Sequence, residues 1–192
     1  MLFLTDFADP GLILPLAGLV ALSLAAVGRR RQALAWSLAV AGTLAAMLVL
    51  KVSSFALSVP AAGRGLGNPS GHTAAGVIVY AGLLTLVAER FAPRLPVALL
   101  SGMAFGALFG LTRLEVGGHT LPEVLVGGAV GLAGVLALAR LAGPRRPDAP
   151  GSGHAVVAVT ALLAVLAFHG NRLHADADLR RVVTEFRSAG EL

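Results

Sequence analysis

Cysteine is absent from the 192 residues, which removes disulfides, thiolate nucleophiles and the cysteine-based zinc, iron–sulfur and haem sites. Lysine occurs once, at Lys51, in a chain that otherwise uses arginine for positive charge. Charged residues make up only 13% and aromatics 5%, while 56% are hydrophobic and the mean hydropathy is +0.82. That balance is too apolar for an ordinary soluble domain and predicts an integral membrane protein. The net charge of +5 would point to nucleic acid in a soluble chain. Here the basic residues fall in short clusters between apolar runs, a pattern that sets membrane orientation, so no nucleic-acid partner is expected.

Six apolar stretches are present: Leu12 to Val27, Ala33 to Leu50, Thr73 to Ala88, Leu95 to Leu111, Val124 to Leu141 and His154 to Phe168. A bilayer core of ~30 Å asks for about 20 helical residues, so each must borrow from its flanks. The pattern predicts an all-α, polytopic, six-transmembrane-helix bundle forming a single domain over 1–192. The first stretch has no basic leader and is expected to be a retained helix. Arg29, Arg30 and Arg31, then Arg90 and Arg94, then Arg140, Arg145 and Arg146 fall in alternate loops on one face. By the positive-inside rule that face is inner, and the N-terminus with Asp6 and Asp9 is outer. Over 170–192, Leu179, Val182, Val183 and Phe186 recur at helical spacing behind Asp176 or Asp178. They predict an amphipathic helix on the outer surface.

Glycines repeat every fourth residue at Gly102, Gly106 and Gly110, and again at Gly127 and Gly131, which predicts close helix packing. Two outer loops gather Lys51, Arg64, Ser70, His72, Arg113, Glu115, His119 and Glu123. Ionisable groups are costly at a membrane, so their collection at one end of a bundle marks a candidate site. Three cations and two histidines suit a phosphate. In Asn68-Pro69-Ser70-Gly71-His72, Ser70 or Asn68 can cap the third span while its free N–H groups form an anion cradle. In the second loop Gly117 and Gly118 let His119 turn back toward Arg113. Thr120 to Glu123 reads as a capping box with proline in the first turn, and Glu123 is also placed to orient His119.

Pro69-Ser70-Gly71-His72 followed by Thr112-Arg113-x5-His119-x3-Glu123 resembles the type 2 phosphatidic acid phosphatase superfamily, relatives of the vanadium haloperoxidases. The resemblance runs from about Lys51 to Leu141. The family pattern is Lys-x6-Arg-Pro, then Pro-Ser-Gly-His, then Ser-Arg-x5-His-x3-Asp. This chain departs from it in three places. Thr112 replaces serine, Glu123 replaces aspartate, and Lys51 and Arg64 are separated by twelve residues instead of six, with Gly65 in place of proline.

The resemblance implies a metal-independent lipid phosphatase without cofactors. His119 would be the nucleophile forming a phosphohistidine, Glu123 would orient it, and His72 would act as acid and base. Lys51, Arg64, Ser70, Gly71 and Arg113 would hold the phosphate. The implied substrate is a polyprenyl diphosphate, phosphatidic acid or phosphatidylglycerol phosphate, reached at the outer face of a cytoplasmic membrane. A lipid phosphotransferase and a decayed, lipid-binding relative are the alternative readings. Among the remaining polar residues, Ser152 is expected to cap the sixth span, His154 to lie at the inner interface, His169 and His174 to be solvated, and Trp36 and Tyr80 to pack.

Overall fold

The computed structural model describes residues 2–57, 67–143 and 151–173, together with 179, 181–183 and 185–186 of the tail. Arg64, Arg145, Arg146, His174, Asp176 and Asp178 lie outside the described residues. Among those described, secondary structure is entirely helical. After a short α1 (Leu2–Asp6) come α2 (Pro10–Ala26), α3 (Arg30–Leu57) and α4 (Gly71–Arg90), then α5 (Arg94–Glu115), α6 (Leu121–Leu141) and α7 (Gly151–Phe168). Four of these, α3 to α6, are long and apolar enough to cross a membrane; α2 and α7 are shorter apolar helices. Each of the six apolar stretches coincides with one helix that begins in its N-terminal flank; α2 ends one residue short of the first stretch, at Ala26.

Local chemistry sets the boundaries. Pro10 occupies the first turn of α2, where its missing N–H costs nothing, and Asp9 caps that helix. Ser70 caps α4, its hydroxyl accepting from the Thr73 N–H at 3.4 Å. Of the two residues expected as caps, Ser70 therefore takes the role, and Asn68 Oδ1 is buried without a partner. At the end of α5, Gly117 adopts φ +69 and donates to Leu114 O, while Gly118 donates to Arg113 O, which is the Schellman closure. Along α4 a π turn at Val77–Ala81 interrupts the α-helical ladder.

The buried core draws on α2 and on all four long helices: Leu12, Leu16 and Val20 of α2, Trp36 of α3, Val77 and Ile78 of α4, Ala98 of α5, and Val135 and Leu138 of α6 are almost wholly enclosed. Trp36 donates its indole N–H to Ala17 O at 2.9 Å, and Tyr80 donates to Phe7 O at 2.7 Å. Both aromatics pack, as expected. His169, expected to be solvated, instead lies against the rings of Phe3 and Phe7 at 4.6 and 4.5 Å.

At the arginine-rich end the structure corrects a second expectation. His154 is buried, not interfacial, and its Nε2 sits 3.2 Å from Glu89 Oε1. Glu89 is 0% exposed and is shared by Arg29 at 3.0 Å, by Gln32 at 3.0 Å and by Arg94. Helix α7 begins at Gly151, so Ser152 stands inside the first turn and not ahead of it. In the tail, the described positions are helical; Val183 is buried while Val182 and Phe186 are exposed.

Candidate functional site

At the opposite end of the bundle the two motif loops are docked onto one another. The Ser70 N–H donates to Glu123 O at 3.0 Å, which fastens the start of α4 to the start of α6. A Cβ on Gly127 would overlap the Ser70 carbonyl, and one on Gly67 would overlap the Glu123 carboxylate. Glycine at both positions is what lets the loop before α4 lie flat against α6. Residues more than fifty apart in sequence thereby meet in one place.

Within this frame His119 Nδ1 lies 3.1 Å from Glu123 Oε2, and the same oxygen accepts the Thr120 N–H at 2.9 Å. The capping box is complete, so Glu123 serves as both cap and histidine partner. One carboxylate thus fixes the helix start and the imidazole together. With Nδ1 engaged, Nε2 is the ring nitrogen turned away from the carboxylate. The His119 side chain is only 4% exposed. Burial, and next to it the Arg113 charge, hold its pKa below the ordinary 6.5, with Lys51 adding to the push and Glu123 opposing it. At neutral pH the ring is uncharged, the form a nucleophile requires.

The cations converge on this histidine. Arg113, in the last turn of α5, folds its guanidinium onto Gly118, where a Cβ would stand 2.8 Å from Nη2. Lys51 is 6% exposed, and its Nζ approaches to 3.2 Å from the position a Gly71 side chain would take. Gly71 is the first residue of α4, so the ammonium sits at the positive end of that helix beside the free N–H groups. Two cations and a helix N-terminus pointed at one region make an anion-binding corner.

His72 occupies the first turn of α4, next to Gly71, and its Nε2 is 3.6 Å from Asp9 Oδ2. Sequence reasoning missed Asp9. It stands in no motif and precedes α2, and only the fold brings it to the site. Of the residues expected there, Lys51, Ser70, Gly71, His72, Arg113, His119 and Glu123 share this end of the bundle; Arg64 lies outside the described residues. Glu115, in the last turn of α5, is exposed.

A helical bundle carrying a histidine–carboxylate pair beside a cationic, helix-capped corner has the parts to bind an anion and move a proton. The particular family is settled by comparison: the model of the PAP2 superfamily matches residues 15–147, and the chain belongs to that family. The match covers both motif loops. Members of this superfamily are generally phosphatases, and action on a phosphate ester is the assignment this membership supports. No curated protein and no solved structure matches the chain.

Proposed function

We propose that this protein is a six-span membrane phosphatase that releases phosphate from a lipid phosphomonoester or diphosphate through a phosphohistidine on His119. The observation that carries the reading is the buried, uncharged His119 ring, held by the Glu123 carboxylate and set beside Arg113 and Lys51. In the first step His119 Nε2 attacks phosphorus in line. The bond to the leaving oxygen breaks, and His72 delivers a proton to that oxygen. Glu123 stabilises the imidazole as positive charge develops on it. Arg113, Lys51, Arg64 and the N–H groups at the start of α4 take the charge spread over the equatorial oxygens. In the second step water, deprotonated by His72, attacks phosphorus. The P–N bond breaks, and orthophosphate leaves.

A lipid substrate is supported by the surroundings of the site. An apolar groove of about 400 Å³ runs between α5 and α6, past Gly106 and Gly128, and ends at Leu114 and Leu121. Those two residues adjoin Arg113 and Thr120, so a hydrocarbon chain in the groove would leave its phosphate at the cationic corner. Orientation follows from charge: Arg29, Arg30, Arg31, Arg90, Arg94 and Arg140 lie at the far end. With that end cytoplasmic, the site opens on the outer face of the membrane.

The test is phosphate release by the detergent-purified protein from polyprenyl diphosphate, phosphatidic acid and phosphatidylglycerol phosphate, with EDTA present and His119→Ala alongside. Release that survives EDTA and is lost in the variant is the expected result. Folded protein that releases nothing from any of the three would sink the reading.

A further inference from the structure

Asp9 precedes α2 and lies outside the region that the family model matches. Its carboxylate is fixed from two directions. Oδ1 accepts the Gly11 N–H at 2.8 Å, as a helix cap, and the Leu173 N–H at 2.9 Å, from the segment beyond α7. The backbones here are in close apposition, since a Cβ on Gly11 would overlap the Asn171 carbonyl. Asp6, one turn earlier, receives Arg172 in a two-point pair at 2.7 and 3.0 Å. The N-terminal segment and the segment after α7 are thus clasped together beside the start of α4. With Oδ1 occupied twice, Oδ2 is left facing His72 Nε2 at 3.6 Å, and Asp9 is only 6% exposed.

We propose that Asp9 is a positioning residue for His72: its Oδ2 holds the Nε2 side of the imidazole, leaving Nδ1 to pass the proton to the leaving oxygen. The inference rests on the phosphatase reading given above. It makes the site a paired device, with each histidine held by its own carboxylate, Glu123 for the attacking ring and Asp9 for the proton-donating one. Burial alone would raise the Asp9 pKa; His72 and the Leu173 and Gly11 N–H groups more than offset it, so the carboxyl is held below its ordinary value and stays anionic opposite His72. A residue that served only as a cap would act on folding and not on proton delivery.

Asp9→Asn separates the two roles, because asparagine caps a helix as well as aspartate does and retains an acceptor for both N–H groups. What it removes is the charge facing His72. Proton donation matters for an alkoxide leaving group and hardly at all for nitrophenolate. Because hydrolysis of the phosphohistidine is common to both substrates, the readout is the single-turnover rate of the first step: the full-length variant is expected to form the phosphohistidine about tenfold more slowly from phosphatidic acid and within about twofold of the parent rate from nitrophenyl phosphate. In a His72→Ala background the same substitution should have no further effect on phosphatidic acid. Equal losses on both substrates, or a loss that persists without His72, would show a merely structural residue and overturn the proposal. A parent protein that turns over neither substrate would overturn the phosphatase reading, and this inference with it.

Discussion

His119 shows how one side chain is tuned by where the fold sets it. Burial and the Arg113 and Lys51 charges favour the neutral ring, and only Glu123 favours the charged one. Removing the Glu123 charge deletes the sole opposing influence, so in Glu123→Gln the His119 titration midpoint should fall further, which NMR of the labelled imidazole would measure. An upward movement would contradict this balance. Activity that requires neutral His119 should persist below the ordinary histidine value of 6.5 and be lost on the acid side as the ring takes its proton. The same shift makes the unfolded chain bind more protons in that window, so stability rises with pH from the folded value up to about 6.5. Much of this was legible in the chain: Arg113, His119 and Glu123 announce themselves by spacing, and His72 and Ser70 by their place before an apolar run. Asp9 was not, because sixty-three positions separate it from His72 and no local pattern joins them.

At the scale of helices, glycine positions carry the information. The repeat Gly102, Gly106, Gly110 does form the α5 face that meets α4 and α6. A Cβ on Gly110 would stand 2.6 Å from Val124 Cγ1, and one on Gly102 would stand 2.5 Å from Leu132 Cδ1. Gly131 is closer still to backbone, with Ala74 O 2.8 Å from its missing Cβ. The sequence shows that such helices will approach closely. It does not show that Gly127 is spent on the Ser70 carbonyl, which is what brings one motif onto the other. Gly127→Ala is therefore expected to act on the site as well as on packing. The added methyl meets a carbonyl that cannot swing away, an overpacking cost of about 1–3 kcal/mol, and the loop that carries Ser70 and His72 must move. Phosphate release should fall more than tenfold in protein that still folds. Gly128→Ala next to it, where the nearest atom is 3.9 Å away, should leave stability and the Ser70 contact nearly unchanged. The π turn at Val77–Ala81 was not legible in the sequence: its β-branched and aromatic residues lower helix propensity only slightly, and nothing in that distinguishes a π turn from an α turn.

Across the whole molecule the two ends of the bundle are built by opposite uses of charge. At the candidate site cations are gathered toward an open corner. At the far end Arg29, Arg94, Gln32 and His154 close around Glu89 and leave that carboxylate 0% exposed. Sequence reading counts these arginines as loop charges that set orientation, and in that role they still count. It could not show that two of them turn inward, because Glu89 looks like one more charge in a short basic loop. The tripeptide Ser152-Gly153-His154 looks like an echo of the motif, but it delivers a histidine to a structural cluster. The cluster joins the start of α3, the end of α4, the start of α5 and the start of α7, with Arg29 supplied from the turn before α3. Removing its shared carboxylate leaves the buried Arg94 and the partly buried Arg29 without their counter-charge, a defect approaching the roughly 3–5 kcal/mol seen where buried pairs are broken from one side. Glu89→Ala should accordingly lower the thermal midpoint of the detergent-solubilised protein by many degrees. Glu89→Gln, which keeps acceptor and donor atoms but no charge, should fall between the two. The fraction of Glu89→Ala protein that stays folded should release phosphate at close to the parent rate, since the cluster and the site occupy opposite ends. A loss of turnover without a loss of thermal stability would mean that the far end communicates with the site, and that the two uses of charge are not independent.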